Sequence, residues 1–559
     1  MEAHFEKVFE GIENDPSKRR ERPVAVERPA KKVAKTEVTT PIELPDMDDN
    51  PEFMLNPRIV KQMVQSLEKK LQKNEMMRAK HTEDPTKFME SELALHEDIS
   101  RMKNIATDPE LFEVLIENEA IPMFIQLLTH ENLDIRMDII ALLADMTDVE
   151  RVGEMAFAEA VVKAIMGYKG LELLVENLRT LLSEASFKTD EVKRVAVYNL
   201  LQIIENLSEL LPESCSLLCS STPLLNLLVA ECYEKESAMS ENKLYCSEIL
   251  SILVQASDEA ATSLGNFTVD DEPLDILLQC LAAYRKKDPS GDEEEEFVHN
   301  LFNALCSALR IPKVQDRFRS LQGFELMLRC IKENKFCKAP ALRVLDHAIM
   351  SHARNCERIV ELGGLKQLFP LFMGKLRSKK DKQKTNDEHL MSLFASLSLW
   401  LPLESKYDVR DRFQAKFLEN SYEKTDRVID LLLQYHTAMN REVQEPQPPA
   451  DMNSEEAVEA YEALLEAYRL HQLDNGLFTL QQVCFVLAHM CQVFAKTLLP
   501  YVIKKLHVHA MTLSTVAQVL TAQADMMDDE HEVQQDRLRA LVQFLDDNSN
   551  PNEEETKDN

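Results

Sequence analysis

Residues 116–148 read IENEAIPMFIQLLTHENLDIRMDIIALLADMTD, and no other stretch limits the possible folds as much. Ile121, Phe124, Ile125 and Leu128 recur at i, i+3, i+4 and i+7, which puts them on one face of a helix. Pro122 suits the opening of that helix, where a missing N–H has no partner to lose. Thr129–Leu133 is a polar break, and the Asp134 carboxylate is placed to cap a second helix with the stripe Ile135, Ile139, Leu142, Leu143 and Met146. Two helices cannot bury both stripes against each other alone. A stack of such pairs can, so the chain is expected to be a repeat array.

Similar pairs start near Ile121, Leu171, Leu224, Leu274, Phe324 and Leu365, at intervals of 50, 53, 50, 50 and 41 residues. The stretch IPMFIQLLTHENLDIRMDIIALLADMTD resembles an armadillo repeat: an apolar-Pro helix start, a Leu-Leu-x-His-x-Asn-x-Asp-Ile turn, then a long helix. With 559 residues, 11 Gly and 6% aromatics, the chain is too long for one ordinary core and too poor in turn and strand formers for a β-rich one. The fold expected is all-α: an armadillo/HEAT-type right-handed superhelical solenoid with N- and C-terminal helical caps.

Five segments are expected along the chain. Residues 1–52 are polar, broken by Pro and expected to be disordered. They contain KRRERPVAVERPAKKVAK, in which Lys18, Arg19 and Arg20 precede Lys31, Lys32 and Lys35 by ten residues. This spacing resembles a bipartite nuclear localisation signal, whose two basic clusters can meet two acidic pockets of an import receptor. Residues 53–110 read as an N-terminal helical cap with Phe88, Leu93, Leu95, Ile99 and Met102 as its core. The repeats occupy 111–405. The acidic run Asp288–Glu296 and the basic run Lys375–Lys384 are expected as solvated loops between repeat helices. Residues 406–545 keep a helical period but lose the repeat pattern, so they form a C-terminal helical cap around LDNGLFTLQQVCFVLAHMCQVF. Residues 546–559 end in an acidic tail.

The formal net charge is −32, which disfavours nucleic-acid backbones and favours basic partners; no direct DNA binding is expected. Eleven cysteines without a Cys-x-x-Cys fit buried thiols in a reducing compartment. No stretch reaches the roughly 18 apolar residues of a membrane span. Neither phosphate-cradling glycine motifs nor a G-x-S-x-G elbow occurs, so no catalytic residues and no cofactor are assigned. Cys484, His489 and Cys491 lie at i, i+5 and i+7 on one helix and do not converge as metal ligands, nor do His507 and His509. Asp346-His347 resembles half of a catalytic triad but lacks a nucleophile.

Armadillo import receptors carry Trp and Asn four residues apart on the last helix of each unit. Aligning the helices here puts Asp145, Asn206, Ile252, Ser307 and His347 at the Asn positions, and Ala141, Gln202, Glu248, Asn303 and Arg343 at the Trp positions. Only Asn206 keeps the backbone clamp. A basic peptide could still be held by carboxylates, with Asp138, Asp145, Glu205 and Glu248 as candidates.

KFMESELALHEDI (87–99), the opening repeat, NKLYCSEILSILVQ (242–255), ALRVLDHAIM (341–350), LKQLFPLFM (365–373) and LDNGLFTLQQVCFVLAHM (473–490) together resemble the beta-catenin-like protein 1 family. The resemblance spans roughly Phe53 to Phe544. It implies a non-enzymatic nuclear scaffold of pre-mRNA splicing in the spliceosomal NineTeen complex, binding basic localisation-type segments of partners, among them a Myb-type splicing factor. An import receptor is the further partner expected from the basic clusters, and a homodimer stays open. The competing expectation is a cytoplasmic catenin-like adaptor. It is disfavoured because grooves holding acidic tails are basic, whereas this chain is acidic.

Overall fold

The computed structural model describes residues 55–184, 186–235, 239–266, 272–375, 383–404, 407–439, 446–447, 455–527 and 532–549. The expected localisation signal, Lys18 to Lys35, lies outside them, as does the tail beyond residue 549. All regular elements among the described residues are helices. The described residues divide into two compact units, the first within residues 55–280 and 290–308, the second within 281–289 and 309–549.

The repeating element is a triplet rather than the expected pair. Phe112–Glu117, Ala120–Leu127 and Leu133–Thr147 form the first. In the last of the six, Ala353–Glu361, Leu365–Phe372 and Gln383–Trp400 follow in the same order. The leading helix escapes a search for long stripes because it has only 6 to 9 residues in five of the six triplets, although Met155–Gly167 in the second has 13.

A conformational device explains why second helices begin where they do. Glu119, Lys169, Gln322 and Gly363 adopt left-handed backbone, with φ of 58°, 60°, 62° and 77°. Each is followed by a small residue: Ala120, Gly170, Gly323 and Gly364. A Cβ on Gly323 would lie 2.2 Å from the Phe318 ring, and one on Gly364 would lie 2.7 Å from the Ile359 carbonyl oxygen. The chain thus turns so sharply that the new helix starts in contact with the old one. The next residue, Ile121, Leu171, Phe324 or Leu365, then drops into the core. At Leu224 the preceding residue is Pro223 instead, and Pro273 itself opens the helix before Leu274.

In the first unit α1 (Pro57–Lys80) packs on α2 (Met89–Met102), and α2 on α3 (Leu133–Thr147). The stack continues through α4 (Glu191–Leu210), α5 (Glu241–Ala256) and α6 (Asp292–Ala308). The stripe Ile135, Ile139, Leu142, Leu143 and Met146 is buried as expected. The cap of α3 is Asn132, whose Oδ1 accepts from the Asp134 N–H at 2.9 Å, so Asp134 is a first-turn residue and not the cap. Pro122 is the third residue of its helix. Leu93, expected in the cap core, is 58% exposed, because α2 turns Leu95, Ile99 and Met102 inward instead. Asp292–Glu295, expected in a loop, form the first turn of α6, where negative charge complements the helix dipole.

In the second unit α7 (Lys338–Ile349) packs on α8 (Gln383–Trp400), and α8 on α9 (Leu477–Val493). Beyond the last triplet, Phe413 and Phe417 join Phe369 and Phe394 in one aromatic cluster, with ring centroids 4.8 to 6.2 Å apart. Burying such rings is worth about 1.5–3 kcal/mol each, which holds the unit together where the repeat pattern fades. As expected, α9 is central: helix Glu419–Met439, α10 (Leu513–Asp525) and α11 (Glu532–Asp547) also pack around it. All eleven cysteines are buried free thiols. No single described helix is long and apolar enough to cross a membrane.

Candidate partner-binding face

The expected peptide-contacting residues all fall on α3, α4 and α5 of the first unit. The structure brings two of them together. Tyr245 on α5 donates its hydroxyl proton to the Glu205 carboxylate on α4. Glu248, one turn beyond Tyr245, adds its negative charge to the same neighbourhood. Burial holds the Tyr245 phenol well above its usual range, and the charges of Glu205 and Glu248 push the same way. Tyr198 completes the group, its ring centroid 5.1 Å from that of Tyr245. The rings of Tyr198 and Tyr245 are themselves buried, so the two half-buried carboxylates are the part of this group that a lysine or arginine would meet. The tyrosines escaped the sequence reading because they occupy neither ladder position.

The other candidates are placed differently. Asp138 is buried and already paired: Lys103 Nζ lies 3.0 Å from one carboxylate oxygen, and the His96 ring contacts the other. Its charge is met by the helical cap, so it is not an open anchor. Asn206, expected as a backbone clamp, is 2% exposed and gives its amide to Thr147 Oγ1 on α3 at 3.1 Å. It ties one stacked helix to the next, as Gln202 does by donating to Asp148 at 3.0 Å. Asp145 forms an ion pair with Arg151 and stays half-buried at the end of α3.

The residues weighed for chemistry are scattered or occupied. Asp346 pairs with His389 on α8 at 3.0 Å, not with its neighbour His347, and Ser392 also bonds to the Asp346 carboxylate. A hydroxyl on the carboxylate rather than on the imidazole makes no nucleophile–base pair. Cys484, His489 and Cys491 are buried in α9, and His507 and His509 are exposed. No group of three or more His, Cys, Asp or Glu among the described residues could hold a metal ion.

Stacked three-helix repeats presenting side chains for contact define an armadillo-repeat adaptor. The chain belongs to the family described as "Catenin-beta-like, Arm-motif containing nuclear", whose model matches residues 42–521. It is 33% identical to the beta-catenin-like protein 1 of Homo sapiens over 480 residues, 84% of this chain and 82% of that protein. It is 29% identical to the beta-catenin-like protein 1 homolog of Schizosaccharomyces pombe over 442 residues, 78% and 73% of the two chains. Among solved structures, a designed armadillo repeat protein matches 52% of this chain and 99% of its own, at 17% identity and a TM-score of 0.33.

Proposed function

We propose that the chain is a non-enzymatic nuclear scaffold of pre-mRNA splicing, associated with the NineTeen complex and its Myb-type factor, and that it binds basic localisation-type segments of its partners. The observation that supports this reading is the half-buried Glu205 and Glu248 around Tyr198 and Tyr245, within a family described as nuclear. Electrostatic attachment makes two measurable demands. A bipartite basic peptide should lose at least tenfold in affinity between low and high salt. The triple variant Asp145→Asn, Glu205→Gln, Glu248→Gln should weaken it by roughly tenfold at low salt, at a few tenths to one kcal/mol per lost charge pair. Gln at 205 keeps an acceptor for Tyr245, so the helix stack is preserved. Affinity indifferent to both salt and variant would overturn the peptide-binding reading.

Nuclear entry is assigned to the two basic clusters. Replacing Lys18, Arg19, Arg20, Lys31, Lys32 and Lys35 with Ala should move a tagged chain from nucleus to cytoplasm by fluorescence microscopy. A wild-type chain confined to the cytoplasm would favour the catenin-like adaptor instead.

A further inference from the structure

Two arginines of the second unit are held around one buried histidine with no acid to neutralise them. Arg537 lies on α11, which is anchored by the buried Leu538, Leu541 and Leu545. Its guanidinium donates to Nδ1 of the buried His489 of α9 at 2.9 Å. Helix Val409–Gln414, anchored by the buried Val409 and Phe413, meets the same ring: the Gln414 amide lies 3.4 Å from Nε2. Arg410 is four residues before Gln414, on the same face of that helix. Burial weakens the hold of Arg537 on its proton, and the charge of Arg410 weakens it further, so the two guanidinium groups feel each other. Both side chains are half-buried. The chain has 96 acidic residues against 64 basic ones, yet no carboxylate among the described residues pairs with either arginine. Asp411 and Asp536, their neighbours in sequence, are exposed and pair with neither. Like charges held together out of bulk water cost stability until an anion joins them.

Charge and donor geometry choose the anion. Two guanidinium groups from two helices offer two positive charges and several N–H donors in flat forks, which a phosphoryl group matches better than a single carboxylate does. A phosphoryl group bonded to one side chain carries nearly two negative charges at neutral pH. A nucleic-acid strand would instead bring a run of further phosphates against a chain of net charge −32. We propose that Arg410 and Arg537 form a binding site for a phosphoryl dianion, carried by a phosphorylated serine or threonine of a partner protein or present as free phosphate. The site lies in the second unit and uses none of the acidic residues of the first.

Phosphorus NMR tests this on the full chain. The 31P line of acetyl-Ala-phosphoserine-Ala-amide should broaden saturably, with a Kd of about 1 mM or tighter at low salt. Inorganic phosphate is the second probe: a peptide that binds several-fold tighter assigns the site to a phosphorylated side chain, and equal affinities assign it to free phosphate. Arg410→Gln removes one charge without touching the bond from Arg537 to His489, and should weaken binding at least fivefold. Arg410→Lys keeps the charge, loses the fork and should weaken it less. The thermal midpoint of Arg410→Gln, read from the emission of Trp400, the only tryptophan of the chain, should hold or rise, because a repulsion is removed. The variant Asp145→Asn, Glu205→Gln, Glu248→Gln should leave phosphate binding intact, which separates this site from the face on α3 to α5. No saturable broadening with either probe, or an unchanged affinity in Arg410→Gln, overturns the proposal.

Discussion

Gly323→Val should destabilise the second unit by about 3 kcal/mol, the upper end of what forcing extra carbons into a packed core costs. Even an alanine Cβ there would meet three atoms of the Phe318 ring at 2.2 to 2.5 Å. The ring cannot swing aside: Phe318 is fully buried and stacks edge-on against Phe324, centroids 5.2 Å apart. Relief therefore has to come from moving helix Gly323–Glu333 away from helix Pro312–Ser320, which would lift Phe324 out of the core. Trp400 belongs to the same unit, so urea unfolding followed by its emission reads the effect where it occurs. The thermal midpoint should fall by roughly 6–12 °C. Gly363→Ala is the control. Gly363 has φ +77° and nothing within 4 Å of an added Cβ, so only the left-handed backbone penalty of about 1–2 kcal/mol applies. Equal losses at the two positions would mean that close helix approach is not what requires glycine at 323.

Apolar periodicity made the repeat starts legible. Ile121, Leu171, Phe324 and Leu365 stand one residue after the small residue of each sharp turn, so the spacing of the stripes marked a real structural landmark. What periodicity does not reveal is which polar residues a neighbouring repeat uses. Asp138 is paired by His96 and Lys103, 42 and 35 residues earlier, and Asn206 is held by Thr147 at a separation of 59. Such pairings depend on how helices stack, and stacking is not written in local sequence. Tyr198 and Tyr245 were hidden for the same reason, since they face each other only once α4 lies against α5. The cap residue was misread more locally: Asn132 and Asp134 are both competent caps, and two residues of register decide between them.

Acid should weaken the second unit through two buried histidines. Burial holds the His489 ring down at a pKa of about 3, with Arg537 and Arg410 adding repulsion. His347 is likewise held at about 3, by burial first and then by Arg343 and His389. Geometry agrees at His489, where the Arg537 guanidinium lies 2.9 Å from Nδ1 and donates to it; a protonated ring could not accept that bond. Both folded values lie below the unfolded value of about 6.5, so the unfolded chain takes up protons that the folded chain refuses. The stabilisation is therefore complete above pH 6.5 and is lost as pH falls toward 3, at about 1.4 kcal/mol per pH unit for each ring. Asp346 runs the opposite way, since burial raises its carboxyl and acid favours its folded form. The quantity to compare is thus the slope of wild type against variant. Urea unfolding at pH 7, 6 and 5, read at Trp400, should show the slope below pH 6.5 reduced by about 1.4 kcal/mol per pH unit in His489→Gln. The double variant with His347→Gln should lose about twice that. An unchanged slope in both would show that the rings protonate as readily inside the fold as outside it.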